Sequence, residues 1–156
     1  MSKFFQNVAG GLVALALLIA TGCRTTDAAH SGDMASVMIT GHTEAEIRQA
    51  VAAVFLAHGF ETDSDLVFDR KAAAMETAAY GGWSTNPVWL RMRVVLISPE
   101  EGRFILGCNA FLVKDRNRGL LEDEQSYTFQ KRDECKDLLD QVKARLAREP
   151  ATSANQ

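Results

Sequence analysis

The chain has 156 residues, with 17 basic and 20 acidic side chains and a formal net charge of −3 at pH 7. A weakly acidic chain without a basic cluster lacks the electrostatic surface that nucleic-acid binding requires, so we expect no nucleic-acid partner. The length suits one compact domain with short terminal segments.

The first 22 residues have the pattern of a signal peptide. Lys3 precedes an uncharged, mainly apolar stretch over residues 8–20, which is shorter than the roughly 20 apolar residues that a membrane-spanning helix needs. The run over residues 15–23, LALLIATGC, ends in small side chains followed by Cys23. This run resembles the lipobox of bacterial lipoproteins.

The resemblance to bacterial lipoproteins implies that residues 1–22 are removed and that Cys23 becomes the acylated first residue of the mature chain. Two or more acyl chains hold a protein at a bilayer, so the expected membrane contact is through this lipid anchor. Arg24 and Thr25 follow without an aspartate, which by comparison with enterobacterial lipoproteins implies the outer membrane, facing the periplasm. The alternative is an ordinary secretory signal that leaves Cys23 as a plain thiol.

The rest of the chain divides into three parts. Residues 23–35 combine the acylated residue with small, polar side chains that are typical of a flexible tether. Residues 36–148 are expected to form a single domain, and residues 149–156 a disordered tail.

The first helix of the domain has clear start and stop signals. Thr43 and Glu46 have the spacing of a capping box, in which each side chain bonds the other residue's backbone amide. Apolar side chains then recur at spacings of three and four residues. The helix should end at Gly59, after which Phe60 can pack on Phe55.

Alternating side chains and turn residues predict the remaining elements. The strands are expected over residues 36–40, 66–70, 89–98, 103–114 and 125–130, with a last helix over residues 133–148 that has an acidic first turn and a basic last turn. Pro99 and Gly102 favour a hairpin between the two longest strands. The segment over residues 71–87 is long for a connection, and its first half could form two helical turns.

This order of elements predicts an α+β fold, an antiparallel β-sheet of about five or six strands with two helices packed on one face. In outline the order resembles the helix-grip and TATA-binding-protein-like domains of small envelope lipoproteins. One of these is an accessory lipoprotein of the outer-membrane protein assembly machinery. The resemblance covers topology alone and transfers no functional residue.

The cysteines form a pair once Cys23 is assigned to lipid. Cys108 and Cys135 are then expected to form a disulfide outside the cytosol, closing a loop of about 27 residues and joining the last helix to the sheet. The alternative is a reactive thiol at Cys135, whose pKa would be lowered by a position in the first helical turn.

Two regions contain candidate partner contacts. Tyr80 and Trp83 lie in the long connection, where the alternative is that aromatic side chains fold back over the edge of the core. The second region is the sheet face away from the helices, with candidates Trp89, Arg91, Arg93 and Phe111. An apolar surface edged with arginine is typical of protein contacts. The alternative there is that the arginines pair with Glu122 or Glu124.

The sequence lacks the motifs of the common hydrolases, nucleotide-binding proteins and zinc enzymes. His42 and His58 are about 24 Å apart along one helix and cannot share a metal, and the acidic groups at 63–65 and 122–124 suit solvated turns. We therefore expect no catalytic residue, metal site or cofactor.

The predicted function is a noncatalytic, membrane-tethered module that binds another envelope protein. Alternatives are a binder of a small apolar ligand between helices and sheet, and a periplasmic thiol-active enzyme.

Overall fold

A computed structural model describes residues 34–81, 86–117 and 121–148. The elements in these ranges are, in chain order, β1 (Ala35–Thr40), α1 (Glu44–Ala57), β2 (Glu61–Ser64), β3 (Val67–Lys71), α2 (Ala74–Ala79), β4 (Val88–Glu100), β5 (Arg103–Lys114), β6 (Asp123–Ser126) and α3 (Thr128–Arg148). The predicted signal peptide, the predicted acylation site at Cys23, the predicted tether as far as residue 33, Trp83 and the predicted tail over residues 149–156 lie outside the described residues.

The six strands form one antiparallel sheet in the order β1-β5-β4-β3-β2, with β6 also pairing with β5. β1 runs beside the first half of β5 and β6 beside its last four residues, so the two short strands share one edge of the long hairpin. The predicted α+β fold with an antiparallel sheet is confirmed. Strand β1 begins at Ala35, one residue before the predicted start of the domain, and this alanine is buried.

The core lies between the helices and one face of the sheet. On β4 the side chains of Val88, Leu90, Met92 and Val94 are buried, as the predicted alternation requires. The apolar stripe of α3 packs against the same side, with buried members Cys135, Leu138, Leu139, Val142 and Leu146. Packing of both long helices on one sheet face is therefore confirmed.

The predicted boundaries of α1 are confirmed. The Thr43 N–H donates to Glu46 Oε2 at 2.8 Å, and the Glu46 N–H donates to Thr43 Oγ1 at 3.3 Å. At the other end Gly59 has φ of 79°, a conformation that glycine adopts without steric cost. The Phe60 N–H then donates to the Phe55 carbonyl at 3.2 Å, and the two rings meet edge to face at 5.5 Å.

The sequence analysis missed β2 and placed the junction between β6 and α3 too late. All four residues of β2 are exposed, so no apolar alternation marks the strand. Helix α3 begins at Thr128, because the Thr128 hydroxyl bonds both the N–H (3.0 Å) and the carbonyl (3.1 Å) of Ala110. Ala110 lies in the gap between the stretches of β5 that pair with β1 and β6, so the hydroxyl replaces a missing strand partner there.

The earlier start of α3 corrects two predictions. The first turn of this helix contains no acidic residue, because Asp133 and Glu134 lie in its second turn. Cys135 is likewise well inside the helix rather than in its first turn, so the N-terminal dipole does not act on its thiol. The basic last turn, with Arg145 and Arg148, is confirmed.

The short helix α2 confirms the two helical turns expected early in the long connection and adds a third helix to the covered face. Its Glu76 pairs with Arg70 of β3 and Lys131 of α3. Arg70 lies on the same side of β3 as Phe68, whose ring stacks on Phe55 of α1 at 4.5 Å. The opposite side of the sheet, here called the open face, has no helix packed on it within the described residues.

Candidate functional site

The open face has Arg91 at its centre. The register between β3 and β4 places this residue directly opposite Asp69. Arg91 Nε donates to Asp69 Oδ1 and Nη2 donates to Oδ2, each at 2.9 Å. Arg91 is 4% exposed and Asp69 is fully buried. This is a bidentate, charge-assisted pair, the strongest class of side-chain hydrogen bond.

Glu122 and Glu124 complete the surroundings of Arg91. Its Nη1 donates to Glu122 and, at 2.8 Å, to Glu124, which also accepts from Arg93 Nη2 at 2.6 Å. The hydrogen bonds that Arg91 donates to Asp69 raise the pKa of Arg91 above its ordinary value, so it stays charged despite its burial. Desolvation opposes ionisation of Glu122, but bonds from the Asn117 N–H and Arg91 lower its pKa overall. The alternative interpretation, that these arginines pair with the two glutamates, is confirmed.

Arg116 is a member of this group that the sequence analysis did not identify. Its guanidinium lies 4.3 Å from the ring centroid of Trp89, and its Nε is 2.8 Å from Asp69 Oδ2. It also pairs with Glu61 at 3.2 Å and Asp63 at 3.7 Å. The acidic residues 63 and 122–124 were expected in solvated turns. Asp63, Glu122 and Glu124 instead have their side chains no more than 25% exposed and paired with arginine.

We name this group the arginine cluster. It contains three arginines and five carboxylates: Arg91, Arg93, Arg116, Glu61, Asp63, Asp69, Glu122 and Glu124. With all members ionised, its formal charge is negative by two. Charges fixed in this way against β3 and β4 form a preorganised, acidic surface on the open face.

The predicted contact residues of the open face differ in how much surface they offer. Arg91 is buried and fully paired, so it holds the cluster together rather than facing solvent. The Arg93 side chain is 42% exposed and its guanidinium lies 4.8 Å from the ring centroid of Phe111. Trp89 and Phe111 are half-buried beneath arginines. Arg93 is therefore the predicted contact residue that a partner could reach most readily, and Phe111 beneath it is partly exposed.

The other end of the open face is apolar. Three apolar side chains are exposed here: Met38 (45%), Val95 (38%) and Ile97 (47%). They lie on strands β1 and β4, which both pair with β5. Ile105 lies between Met38 and Ile97 in the register, and Met34 borders the group. We call these five residues the apolar patch.

Tyr80 lies on the helical side of the sheet rather than on the open face. It is half-buried and packs against the core, which confirms the alternative that this aromatic folds back over the core edge. Its hydroxyl donates to Asp123. Desolvation, followed by this hydrogen bond, raises the pKa of Tyr80 to about 12.

Cys108 and Cys135 meet in the core, as the predicted pairing requires. Both are fully buried, and their Sγ atoms lie 2.9 Å apart as thiols. A disulfide bond is about 2.05 Å long, so the bridge itself stays a prediction. The hydrogen bond to Cys135, followed by burial, raises the pKa of the Cys108 thiol well above its ordinary value. This environment disfavours the thiolate that thiol catalysis needs.

A second ionic group lies between α2, β3 and α3. Lys131 Nζ is 2.6 Å from both Glu76 and Glu134, and Arg70 pairs with the same two carboxylates at 2.9 and 3.1 Å. Desolvation opposes ionisation of the nearly buried Glu76, but bonds from Lys131, the Ala73 N–H and Arg70 lower its pKa overall. These contacts join three elements on the covered face and have a structural role.

Two grooves on the helical side have volumes of about 390 and 260 Å³. Neither is lined by Phe55, Leu90 or Leu106, which are fully buried in the core. Among the described residues no group of three or more His, Cys, Asp or Glu side chains is arranged to hold a metal ion. No helix within the described ranges has the length and apolarity needed to cross a membrane.

Comparisons of the chain with protein-family models, with curated proteins and with solved structures found no match.

Proposed function

We propose that this protein is a noncatalytic, lipid-anchored domain of the bacterial cell envelope that binds another envelope protein through its open face. The lipobox-like run ending at Cys23 supports the anchor and an outer-membrane location facing the periplasm. The observation that carries the binding proposal is the preorganised arginine cluster on a sheet face that no described helix covers.

The exposed part of the cluster has the chemistry of a contact surface. Arg93 stacks on Phe111, and aromatic residues and arginine are enriched at the energetic centres of protein interfaces. Both side chains are already held in place, so binding would cost little side-chain entropy. The negative formal charge of the cluster favours a partner that presents lysine or arginine to this end of the open face.

The two alternative functions gain no support from the geometry. A small apolar ligand between helices and sheet would need space beside Phe55, Leu90 and Leu106, but these side chains fill the core. A thiol-active enzyme would need an accessible thiol with a lowered pKa. Cys108 and Cys135 have no exposed surface, and the pKa of Cys108 is raised.

Photocrosslinking in cells tests the binding proposal. A photoreactive amino acid at position 93 should give one discrete adduct. Arg93 is the most exposed arginine of the cluster, and it also contacts Phe111. Leu56 is the matched control, since it is 51% exposed on α1, which packs on the covered face. A third variant at position 83 tests the long connection as the contact. Absence of an adduct from position 93 in folded protein would contradict the proposal, and an adduct from position 83 alone would assign the contact to the long connection instead.

A further inference from the structure

We propose that the apolar patch of the open face rests on the lipid bilayer to which the chain is anchored. This inference depends on the proposed anchor at Cys23. It adds a second membrane contact, made by Met34, Met38, Val95, Ile97 and Ile105, and it fixes how the domain is oriented at the membrane.

The exposed apolar side chains of the patch are contiguous. Met38 pairs with Ile105, and Ile105 pairs with Ile97, so one row of apolar side chains crosses β1, β5 and β4. Val95 is two residues from Ile97 on the same side of β4. The other exposed large apolar side chains of the described residues lie apart from the patch, each on a different helix or connection: Leu56, Met75, Leu121 and Phe129. Contiguous patches, unlike scattered side chains, mark contact surfaces.

The chain enters the domain at the border of the apolar patch. Met34 immediately precedes β1, and its Sδ lies 2.7 Å from the point where a Cβ on Gly107 would be. Gly107 pairs with Val95, so the entering chain passes over the border of the patch. Met34 is eleven positions after Cys23, and a chain of that length spans at most about 40 Å even when fully extended. An acylated Cys23 therefore holds Met34, and the border of the patch beside it, within that distance of the bilayer.

The apolar patch is small compared with a stable protein interface. The patch has five apolar side chains, whereas each partner in a stable protein interface contributes roughly 20–30 residues. A second copy of the chain would have to bind through a much larger surface than this patch. A contact with the bilayer does not need so large an area. The anchor already confines the domain to the membrane surface, so the patch meets the bilayer at a high effective concentration.

Arg103 lies at the edge of the patch and suits a membrane interface. Its Nε is 3.5 Å from Met38 Sδ, and its guanidinium pairs with Glu100 at 3.0 Å. Long basic side chains at such borders keep their apolar stems against the apolar surface while the charged end reaches the lipid headgroups. Ile97 is six positions from Arg91 on β4, or about 20 Å along the strand, so the apolar patch and the arginine cluster are separate parts of the open face.

Spin labelling of the full-length, acylated protein tests this contact. A nitroxide attached to Ile97→Cys is compared with one attached to Leu56→Cys, because these positions are similarly exposed, at 47% and 51%. Cys108 and Cys135 are fully buried and so are shielded from the label. In vesicles of phosphatidylethanolamine and phosphatidylglycerol, the label at position 97 should collide more with oxygen than with a water-soluble nickel chelate. The label at position 56 should show the opposite preference. Val95→Cys is the second patch variant if Ile97→Cys does not fold.

Flotation with the same vesicles reports the anchor separately. Wild-type protein should float with the vesicles and Cys23→Ala should not. If the wild type floats but the patch labels keep the aqueous pattern, the patch proposal is wrong and the anchor stands. If the wild type does not float, both proposals fail. Patch labels shielded from both reagents would show that protein covers the patch, which also overturns the bilayer contact.

Discussion

Asp69 and Arg91 face each other on β3 and β4 and form two parallel hydrogen bonds of 2.9 Å, with the carboxylate fully buried. Neither charge could be buried alone without a large desolvation cost. The pair therefore lets the open face present ordered charges without leaving an unpaired ion in the sheet. Arg116 and Glu124 extend the same network to the surface.

The first prediction concerns this pair. Asp69→Asn should lower the free energy of unfolding by about 3–5 kcal/mol, because the amide has one acceptor oxygen where the buried carboxylate has two, and one of the two buried Arg91 donors loses its partner. Urea denaturation measures the change. Arg48→Gln is the control, since it breaks pairs with Glu44 and Asp65 on the surface, where solvent screens the charges, and should have a much smaller effect. Equal effects of the two substitutions would contradict the structural role of the Asp69 pair.

The second prediction concerns pH and Glu76. The pKa of Glu76 is lower in the folded protein than the ordinary glutamate value of about 4.3. Its contribution to stability is therefore complete above that value and is lost as the pH falls through the depressed pKa. The stability difference between wild type and Glu76→Gln should be largest near neutral pH and should shrink below about pH 4. A difference that is constant between pH 7 and pH 3, measured by urea denaturation, would be inconsistent with the ion pairs to Lys131 and Arg70.

The third prediction concerns Tyr80, whose pKa is raised to about 12 by desolvation and its bond to Asp123. The chain has two tyrosines, so the ultraviolet titration of wild type minus that of Tyr80→Phe isolates this phenol. The difference should have a midpoint near 12 while the protein is folded. Because the folded pKa is raised, the stability that this phenol contributes is present below about pH 10 and is lost above it. A midpoint at the ordinary value of about 10 would show that Tyr80 is not held against Asp123.

The fourth prediction concerns Cys108 and Cys135. In protein isolated from the envelope without reductant, thiol titration in denaturant should find no free thiol at these two positions, since their Sγ atoms are only 2.9 Å apart. Reduction should then lower the free energy of unfolding by about 3–4 kcal/mol, as expected for a crosslink of this loop length. The double variant Cys108→Ala, Cys135→Ala should not respond to reductant. Two titratable thiols in the unreduced wild-type protein would refute the predicted bridge.

The parts of the fold that the sequence predicted are those with local signals. Thr43 and Glu46 mark the start of α1 by their spacing, and Gly59 marks its end. The alternating buried side chains of β4 and the apolar stripe of α3 were likewise predictable. Each pattern follows from the residue spacing within a single strand or helix.

The parts that could not be predicted depend on contacts between distant residues. Asp69 and Arg91 are 22 positions apart, and only the register of β3 against β4 shows that they are opposite each other. Strand β2 has no apolar alternation, so its existence depends on pairing with β3. Arg116 follows the end of β5, where its alignment over Trp89 is a property of the folded chain.

Intact-mass spectrometry of the protein from the membrane fraction decides whether the domain is anchored by lipid. The expected species begins at Cys23 and has a mass increased by a diacylglycerol group and an amide-linked acyl chain. A chain that begins at Met1, or one cleaved near residue 22 with an unmodified Cys23, would contradict the proposed anchor.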